Sequence, residues 1–381
     1  MPPIRVAFLG TQGIPAKYGG YETFVEELGI RMAKAGGFEV TVYCPASLPE
    51  PRPETYQGVQ LRYIASPGKG GVANILFDIW SLFACLGRHD IIYLCGYGAS
   101  YLAFLPRLFG ARVWINLGGL EWKRSKWPAP VRAYVRICEW FCGRTANRII
   151  CDAQAILDYY ADAFPSPAAL SFLAYGTAPL PLSEDSPSLL PAPLTPLGYD
   201  LVVARLEPEN NVREIIAGYL ASASPRPLVV VGNLDPRPYV EGLKAMADAR
   251  IIFLGGVYDK ARLAALRRYA CVAFHGHSVG GTNPSLLEAI AAGRPIIAHG
   301  NPFNREVGGP LLRFFMEPAD IPLRLEELAA EGTPETLDQM PQAQAWLAAH
   351  YAWDHIAEDY MALFREDLRP EPTPLARTQV S

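Results

Sequence analysis

Residues 271–295 read Cys271-Val272-Ala273-Phe274-His275-Gly276-His277-Ser278-Val279-Gly280-Gly281-Thr282-Asn283-Pro284-Ser285-Leu286-Leu287-Glu288-Ala289-Ile290-Ala291-Ala292-Gly293-Arg294-Pro295. The apolar run 271–274 reads as a buried strand. A polar loop with three glycines follows, then a helix with clear start and stop signals. Asn283-Pro284 is an N-cap and first-turn pair, and Gly293 with Pro295 just beyond ends the helix. Strand, loop and helix in this order are half of a βαβ unit, which predicts a parallel sheet covered by helices. The same reading predicts free N–H groups at 284–286, where the helix dipole favours a diphosphate. Glu288, about one turn further in, is placed to accept hydrogen bonds from ribose hydroxyls; the bland reading is a solvated helix carboxylate. His275 and His277 suggest a metal only if a third ligand joins them, and none is evident.

Outward from this stretch, strands are expected at Tyr199–Ala204, Leu228–Val231, Ile251–Leu254 and Pro295–Ala298. The N-terminal half carries a similar series: Ile4–Leu9, Phe38–Tyr43, Val59–Ile64, Ile91–Leu94, Ala111–Asn116 and Arg148–Cys151. Two such series predict an α/β protein of two Rossmann-like domains facing each other across a cleft. The expected division is 1–178, a proline-rich linker over 179–198, a second domain over 199–352, a helix over 353–368 packing back toward the first domain, and a tail over 369–381. The chain of 381 residues has length enough for two domains. Half of its residues are hydrophobic and 19% are charged, with 34 basic against 38 acidic side chains and a net charge of −4. That balance excludes disorder and nucleic-acid binding by bulk charge. Seven scattered cysteines are no disulfide framework. Cys138 and Cys142, one helical turn apart, read as core thiols. No signal peptide and no membrane span are expected, so the expected location is cytoplasmic, with attachment to the inner face of a membrane left open.

Three further segments carry chemistry. Gly10-Thr11-Gln12-Gly13-Ile14-Pro15-Ala16-Lys17-Tyr18-Gly19-Gly20 joins a strand to a helix and is longer than the usual ~2–6 residues of such a connection. It matches neither a dinucleotide fingerprint nor a P-loop, yet Gly13, Gly19 and Gly20 let a ligand approach the backbone closely. Arg205-Leu206-Glu207-Pro208-Glu209-Asn210-Asn211 follows the first strand of the second series; Arg205 is suited to the charge of a leaving diphosphate, and a structural salt bridge is the alternative. Gly232-Asn233 ends the next strand on the same rim. Gly118-Gly119-Leu120-Glu121-Trp122-Lys123-Arg124 opens a stretch in which basic residues 123, 124, 126, 132, 136, 144 and 148 outnumber Glu121 and Glu139, interleaved with Trp122, Trp127, Tyr134 and Trp140. Such a mixture rests on anionic headgroups or clamps a phosphorylated acceptor; equally, it is a solvated helix face.

Together these segments resemble the retaining glycosyltransferases of family four, and more closely their rhamnosyltransferase-like branch. The strings that carry the resemblance are GTQGIPAKYGGYET at 10–23, GLEWKRSKW at 119–127, RLEPENN at 205–211, HGHSVGGTNPSLLEA at 275–289 and NPFNREV at 301–307. The resemblance spans roughly residues 4 to 365 and implies a GT-B fold, a nucleoside diphosphate sugar donor, no cofactor and no catalytic metal. It implies transfer with retention to a saccharide or lipid-linked acceptor in cell-surface polysaccharide synthesis. Donor contacts then fall on Gly13, Gly19, Gly20, Arg205, Asn210, Gly232, Asn233, Val257, Tyr258, His277, Ser278, Gly280, Gly281, Thr282, Asn283, Pro284, Ser285 and Glu288. Acceptor contacts fall on Tyr18, Glu121, Trp122, Lys123 and Arg124, and catalytic roles on Arg205, Glu288 and Glu121.

The chain departs from the wider family at three positions. Gly280 stands in place of the first Glu of a Glu-x7-Glu pair, Asn210 in place of a Lys, and Gly118 where relatives often carry Asp. The first two changes match the rhamnosyltransferase-like branch and fit a deoxysugar, which needs fewer polar contacts. The third leaves Glu121 as the nearest carboxylate for the acceptor hydroxyl. Two rival functions remain: a non-catalytic sugar-nucleotide-binding scaffold, encouraged by Gly118 and Gly280, and a nucleotide-sugar 2-epimerase, disfavoured by the few acid/base groups in the first half.

Overall fold

In the computed structural model, which describes residues 2–16, 19–67, 70–123, 128–164 and 168–369, two parallel sheets are built from runs of apolar residues. The first sheet contains β1 (Ile4–Leu9), β2 (Phe38–Pro45), β3 (Thr55–Tyr56), β4 (Val59–Ile64), β5 (Ile91–Cys95), β6 (Arg112–Asn116), β7 (Arg148–Cys151) and β8 (Ala169–Phe172). Its helices are α1 (Gly20–Ala35), α2 (Gly70–Cys85), α3 (Phe104–Leu108), α4 (Ala129–Thr145) and α5 (Gln154–Ala163). The second sheet contains β9 (Asp200–Val203), β10 (Leu228–Val231), β11 (Ile251–Gly255), β12 (Ala273–His275), β13 (Ile296–His299) and β14 (Leu312–Phe315). With it come α6 (Val212–Ala221), α7 (Pro238–Met246), α8 (Lys260–Arg268), α9 (Pro284–Ala291), α10 (Pro302–Gly308), α11 (Asp320–Glu331) and α12 (Met340–His350), and α13 (Trp353–Asp367) follows.

The strand orders are β3-β4-β2-β1-β5-β6-β7-β8 and β11-β10-β9-β12-β13-β14. Apart from the short antiparallel β3 and the last strand of the first sheet, both follow the doubly wound order in which the third strand lies outermost and the first beside the fourth. Registers run Val6↔Val40 and Val6↔Ile91 in one sheet, Val229↔Leu201 and Phe274↔Val202 in the other. Side chains alternate across the second sheet. Val202, Val230 and Phe274 pack with Ile215, Val240 and Leu325 on one face, while Leu201, Val229 and Val231 pack with Leu266 on the other. This is the period of two that a strand buried on both faces requires. Asp200, fully buried at the start of β9, is satisfied by Arg226 Nε at 3.0 Å, the Tyr219 hydroxyl at 2.7 Å and the Val272 amide at 3.1 Å.

The chain divides into two compact units, 1–115 with 145–147 and 357–381, and 116–144 with 148–356. The first takes part of its core from the end of the chain. The Tyr360 hydroxyl meets that of Tyr93 at 3.2 Å, Phe364 lies 4.5 Å from Trp114 between ring centroids, and Trp114 Nε1 donates to Asp367 at 2.8 Å. Residue 178, where the sequence series changes, falls inside the second of these units. The expected tail from 370 onward lies outside the described residues.

Candidate active site

A doubly wound sheet opens its crevice at the carboxyl ends of the two central strands, where the connections diverge. In the second sheet these are β9 and β12, so the segments after Val203 and after His275 meet there. Arg205 keeps its guanidinium about half exposed, 4.0 Å from the Glu207 carboxylate. Asn210 is buried and donates its amide to the Arg205 carbonyl at 2.7 Å, so it shapes the turn that presents Arg205. Ser278 ties the two loops, its amide and hydroxyl each reaching the Glu209 carbonyl at 2.9 Å. A Cβ on Gly276 would lie 2.1 Å from the Asn210 carbonyl, which explains the glycine. The His277 ring stacks on His275 at 4.4 Å, and its carbonyl accepts from Asn301 at 2.7 Å and Asn304 at 2.9 Å. The NPFN string thus braces the loop from behind. Burial holds His275 well below the usual histidine range, so it stays neutral.

The start of α9 corrects one expectation. Pro284 has no N–H, the Ser285 amide donates to the Asn283 side chain at 3.0 Å, and the Leu286 amide to the Asn283 carbonyl at 2.9 Å. The groups expected to be free at 284–286 are spent inside the cap. The amides of Gly280, Gly281 and Thr282, by contrast, make no hydrogen bond among the described residues. Gly280 sits at φ +143°, open to glycine alone, so three successive donors are presented by a loop of special backbone shape. Gly232 permits a close approach of strand ends, since a Cβ there would lie 2.3 Å from the Ala204 carbonyl. Asn233 is exposed and bonds Asp235 at 2.8 Å. Val257 packs against the core around Tyr199 and Leu201, whereas Tyr258 is 68% exposed.

Glu288 is neither solvated freely nor alone. Arg267, on α8 and only 5% exposed, donates to its Oε2 at 2.7 Å and to the Ser285 hydroxyl at 3.3 Å. Nothing in the α8 sequence marks Arg267, which stands in a run of arginines on an amphipathic helix; only the fold shows which of them turns inward.

Loops from the first sheet's strand ends meet this site within the second unit. A Cβ on Gly119, at φ +120°, would lie 3.0 Å from the Gly280 Cα, so the GLEW and HGHSVGGTNP segments touch glycine to glycine. Gly118, at φ +60°, donates its amide to the Asn116 side chain at 2.9 Å. Glu121 and Trp122 follow in a single helical turn. Trp122 lies under the Arg136 guanidinium at 4.9 Å, and nearby the Tyr159 hydroxyl donates to Glu139 at 3.0 Å. Tyr18 and Arg124 lie outside the described residues, as does the Lys123 side chain. Asp152, which the sequence did not single out, follows β7. Its carbonyl accepts from the Thr282 hydroxyl, and a Cβ on Gly281 would fall 1.8 Å from its Oδ1. Next to it both Glu306 oxygens accept from the Gln154 amide, at 2.8 and 3.0 Å.

The loop after β1, in the first unit, is organised by its own helix. Glu22 accepts from the Gln12 amide at 2.7 Å, Glu26 from the Ala16 amide, and Thr11 Oγ1 from the Gly13 amide at 3.1 Å. The Gly13 amide, read from the sequence as a ligand contact, is here an internal one. Gly13 abuts the Cys44 sulfur, where a Cβ would come to 2.9 Å; Gly19 leaves room for Glu22, 2.0 Å from the position of its missing Cβ. Gly20 begins α1. Among the described residues no group of three or more His, Cys, Asp or Glu side chains is arranged to hold a metal ion, and no helix is long and apolar enough to cross a membrane. Cys138 and Cys142 are buried.

Residues 4–178 match a protein family described as a domain of unknown function, DUF1972. No curated protein matches the chain. Among solved structures, the sucrose-phosphate synthase of Thermosynechococcus elongatus superposes with a TM-score of 0.78 at 17% identity, over 96% of this chain and 99% of that one. HepE of Anabaena in complex with UDP and glucose gives 0.71 at 14% identity, over 95% and 100%. A UDP-forming α,α-trehalose-phosphate synthase from Burkholderia vietnamiensis gives 0.68 at 15% identity, over 96% and 100%. With two doubly wound parallel sheets and likeness over nearly its whole length to these structures, the chain has the GT-B fold.

Proposed function

We propose that the protein is a retaining, metal-independent glycosyltransferase that moves a rhamnose-like deoxysugar from a nucleoside diphosphate donor to a saccharide or lipid-linked acceptor in cell-surface polysaccharide synthesis. The observation that carries this reading is the loop between β12 and α9 at the switch point of the second sheet, with three amides at 280–282 unspent among the described residues and with Ser278 tying it to the turn that carries the half-exposed Arg205. Several amide donors and one guanidinium suit a diphosphate, which needs many short donors in a fixed frame. The folds of proteins whose structures hold UDP, glucose or UDP-glucose support the class of ligand. In this reading Arg205 neutralises charge as the glycosidic bond breaks, and a leaving phosphate oxygen takes the proton of the incoming hydroxyl on the same face. Arg267 keeps one Glu288 oxygen engaged and leaves the other for ribose. Glu121 faces the acceptor. The 121–148 segment supplies a contact with a membrane surface at the inner face of the cell.

A thermal-shift panel of nucleoside diphosphate sugars, followed by turnover of those that bind, tests it. dTDP-rhamnose should raise Tm more than UDP-glucose and be consumed in the presence of acceptor. Arg205→Ala should lower kcat by ~10²–10³ with Tm nearly unchanged, because a preorganised donor acts on the transition state. Faster transfer from UDP-glucose than from dTDP-rhamnose refutes the deoxysugar. Binding without turnover across lipid-linked acceptors favours a non-catalytic scaffold instead.

A further inference from the structure

We propose that Asp152 is a positioning residue for the 280–282 loop, seating it against the turn after β7 as an uncharged acid, so that the loop holds an anionic nucleotide only while that carboxyl keeps its proton. The inference deepens the nucleoside diphosphate reading and rests on it. Its geometric basis is threefold. The Thr282 hydroxyl donates to the Asp152 carbonyl. Gly281 lies so close that its missing Cβ would stand 1.8 Å from Asp152 Oδ1. That oxygen is buried, and among the described residues no hydrogen-bond donor reaches it.

Among the described residues the groups around the carboxyl supply no compensating cation. At the end of β7 stands Cys151, whose thiol burial pushes up to about 12 and keeps protonated. From α10 comes Glu306, which adds a like charge and is itself raised by burial, with Asp158 on α5 pushing Glu306 the same way. The loop offers Gly281 and Thr282, neither charged. Burial and then Glu306, opposed by a hydrogen bond from its own backbone, push Asp152 up to about 7. An ionised Asp152 therefore places an unpaired negative charge against the loop that would receive a diphosphate. Two like charges cannot share that loop cheaply, so proton and nucleotide binding are linked and each favours the other.

Calorimetric titration with UDP and with dTDP between pH 6 and 8.5 tests the linkage. In the wild-type protein Kd should rise above pH 7 by up to ~10-fold per pH unit, the limit for one linked proton. Asp152→Asn, which mimics the neutral acid, should lose this rise above pH 7. The same slope in both proteins overturns the proposal. Gly281→Ala should weaken binding at least tenfold, and Asp152→Gly in the same chain should restore most of it; a Gly281→Ala protein that binds like wild type also overturns it. Hydrogen exchange of the 280–282 amides, corrected for intrinsic rates, needs no ligand. It should accelerate above pH 7 in the wild type and not in Asp152→Asn. If neither nucleotide binds at any pH while exchange shows this difference, the donor reading fails and the role of Asp152 in seating the loop stands; exchange without the difference refutes that role.

Discussion

Arg267 and Glu288 form an ion pair whose two halves are buried unequally, and the asymmetry decides what each substitution does. Arg267 is 5% exposed, whereas the Glu288 side chain is 46% exposed. Removing the arginine leaves a carboxylate that water reaches. Removing the glutamate leaves a guanidinium in the interior, where an unpaired charge costs several kcal/mol. Glu288→Ala should therefore lower the urea midpoint more than Arg267→Met, with a difference on the order of 1–2 kcal/mol; the reverse order in equilibrium unfolding would contradict the pairing. Glu288→Gln, which keeps the shape and one acceptor, should fall between them. A loss of turnover in Glu288→Ala is then not by itself a measure of ribose contact, because Ser285 shares Arg267 with Glu288. None of this was legible in the sequence. Arg267 and Glu288 are 21 residues apart on different helices, and residues 152 and 282 are farther still. No local propensity couples such positions, so nothing in the sequence marks Arg267 or Asp152.

At the scale of elements the sequence says much more, because strands and caps are local. The apolar Leu-Val-Val-Val run at 228–231 and the Asn-Pro pair at 283–284 occur where a buried strand and a helix start require them, and the structure has both. The sequence could not show how the cap uses its donors. It suggested an anion at the first turn of α9, whereas Asn283 and Pro284 close that turn and move the open amides back to Gly280–Thr282. Asn283→Ala tests the distinction. Loss of the side-chain cap should cost about 1 kcal/mol of stability. Affinity for UDP or dTDP should change less than threefold, since the loop and Arg205 supply the donors. A drop beyond tenfold in calorimetry would mean that the helix start or the Asn283 amide itself holds the ligand. In the loop after β1 the same logic applies to the Gly13 amide, read from the sequence as a ligand contact and consumed here by Thr11 Oγ1.

At the scale of the whole molecule the chain closes its first unit with its last helix. Phe24, Tyr93 and Trp114 come from the beginning of the chain, and Tyr360 and Phe364 from near its end. Tyr93, Tyr360 and Phe364 are almost fully buried, and Trp114 shows no exposed surface. The Trp114 indole N–H has its acceptor on Asp367, the last residue of α13. A chain ending at Tyr351 would open this aromatic cluster to water and leave a buried donor unpaired. Each aromatic ring uncovered forfeits roughly 2–3 kcal/mol, and the orphaned indole about 1–3 more. Those losses approach the whole stability of a domain, about 5–15 kcal/mol. The truncated protein should therefore lose its cooperative thermal transition, or retain only the part that belongs to residues 116–144 and 148–351. Phe364→Ala, which removes one ring and keeps the helix, should cost ~3–5 kcal/mol and stay folded. A truncated chain that melts like the full one, in calorimetry and near-ultraviolet circular dichroism alike, would show that α13 adds nothing to the core it enters. The order of synthesis sharpens the point. The N-terminal strands cannot complete their core until the last helix has been made, so the first unit is stabilised by contacts of very long sequence separation, which form late because closing so long a loop is entropically costly.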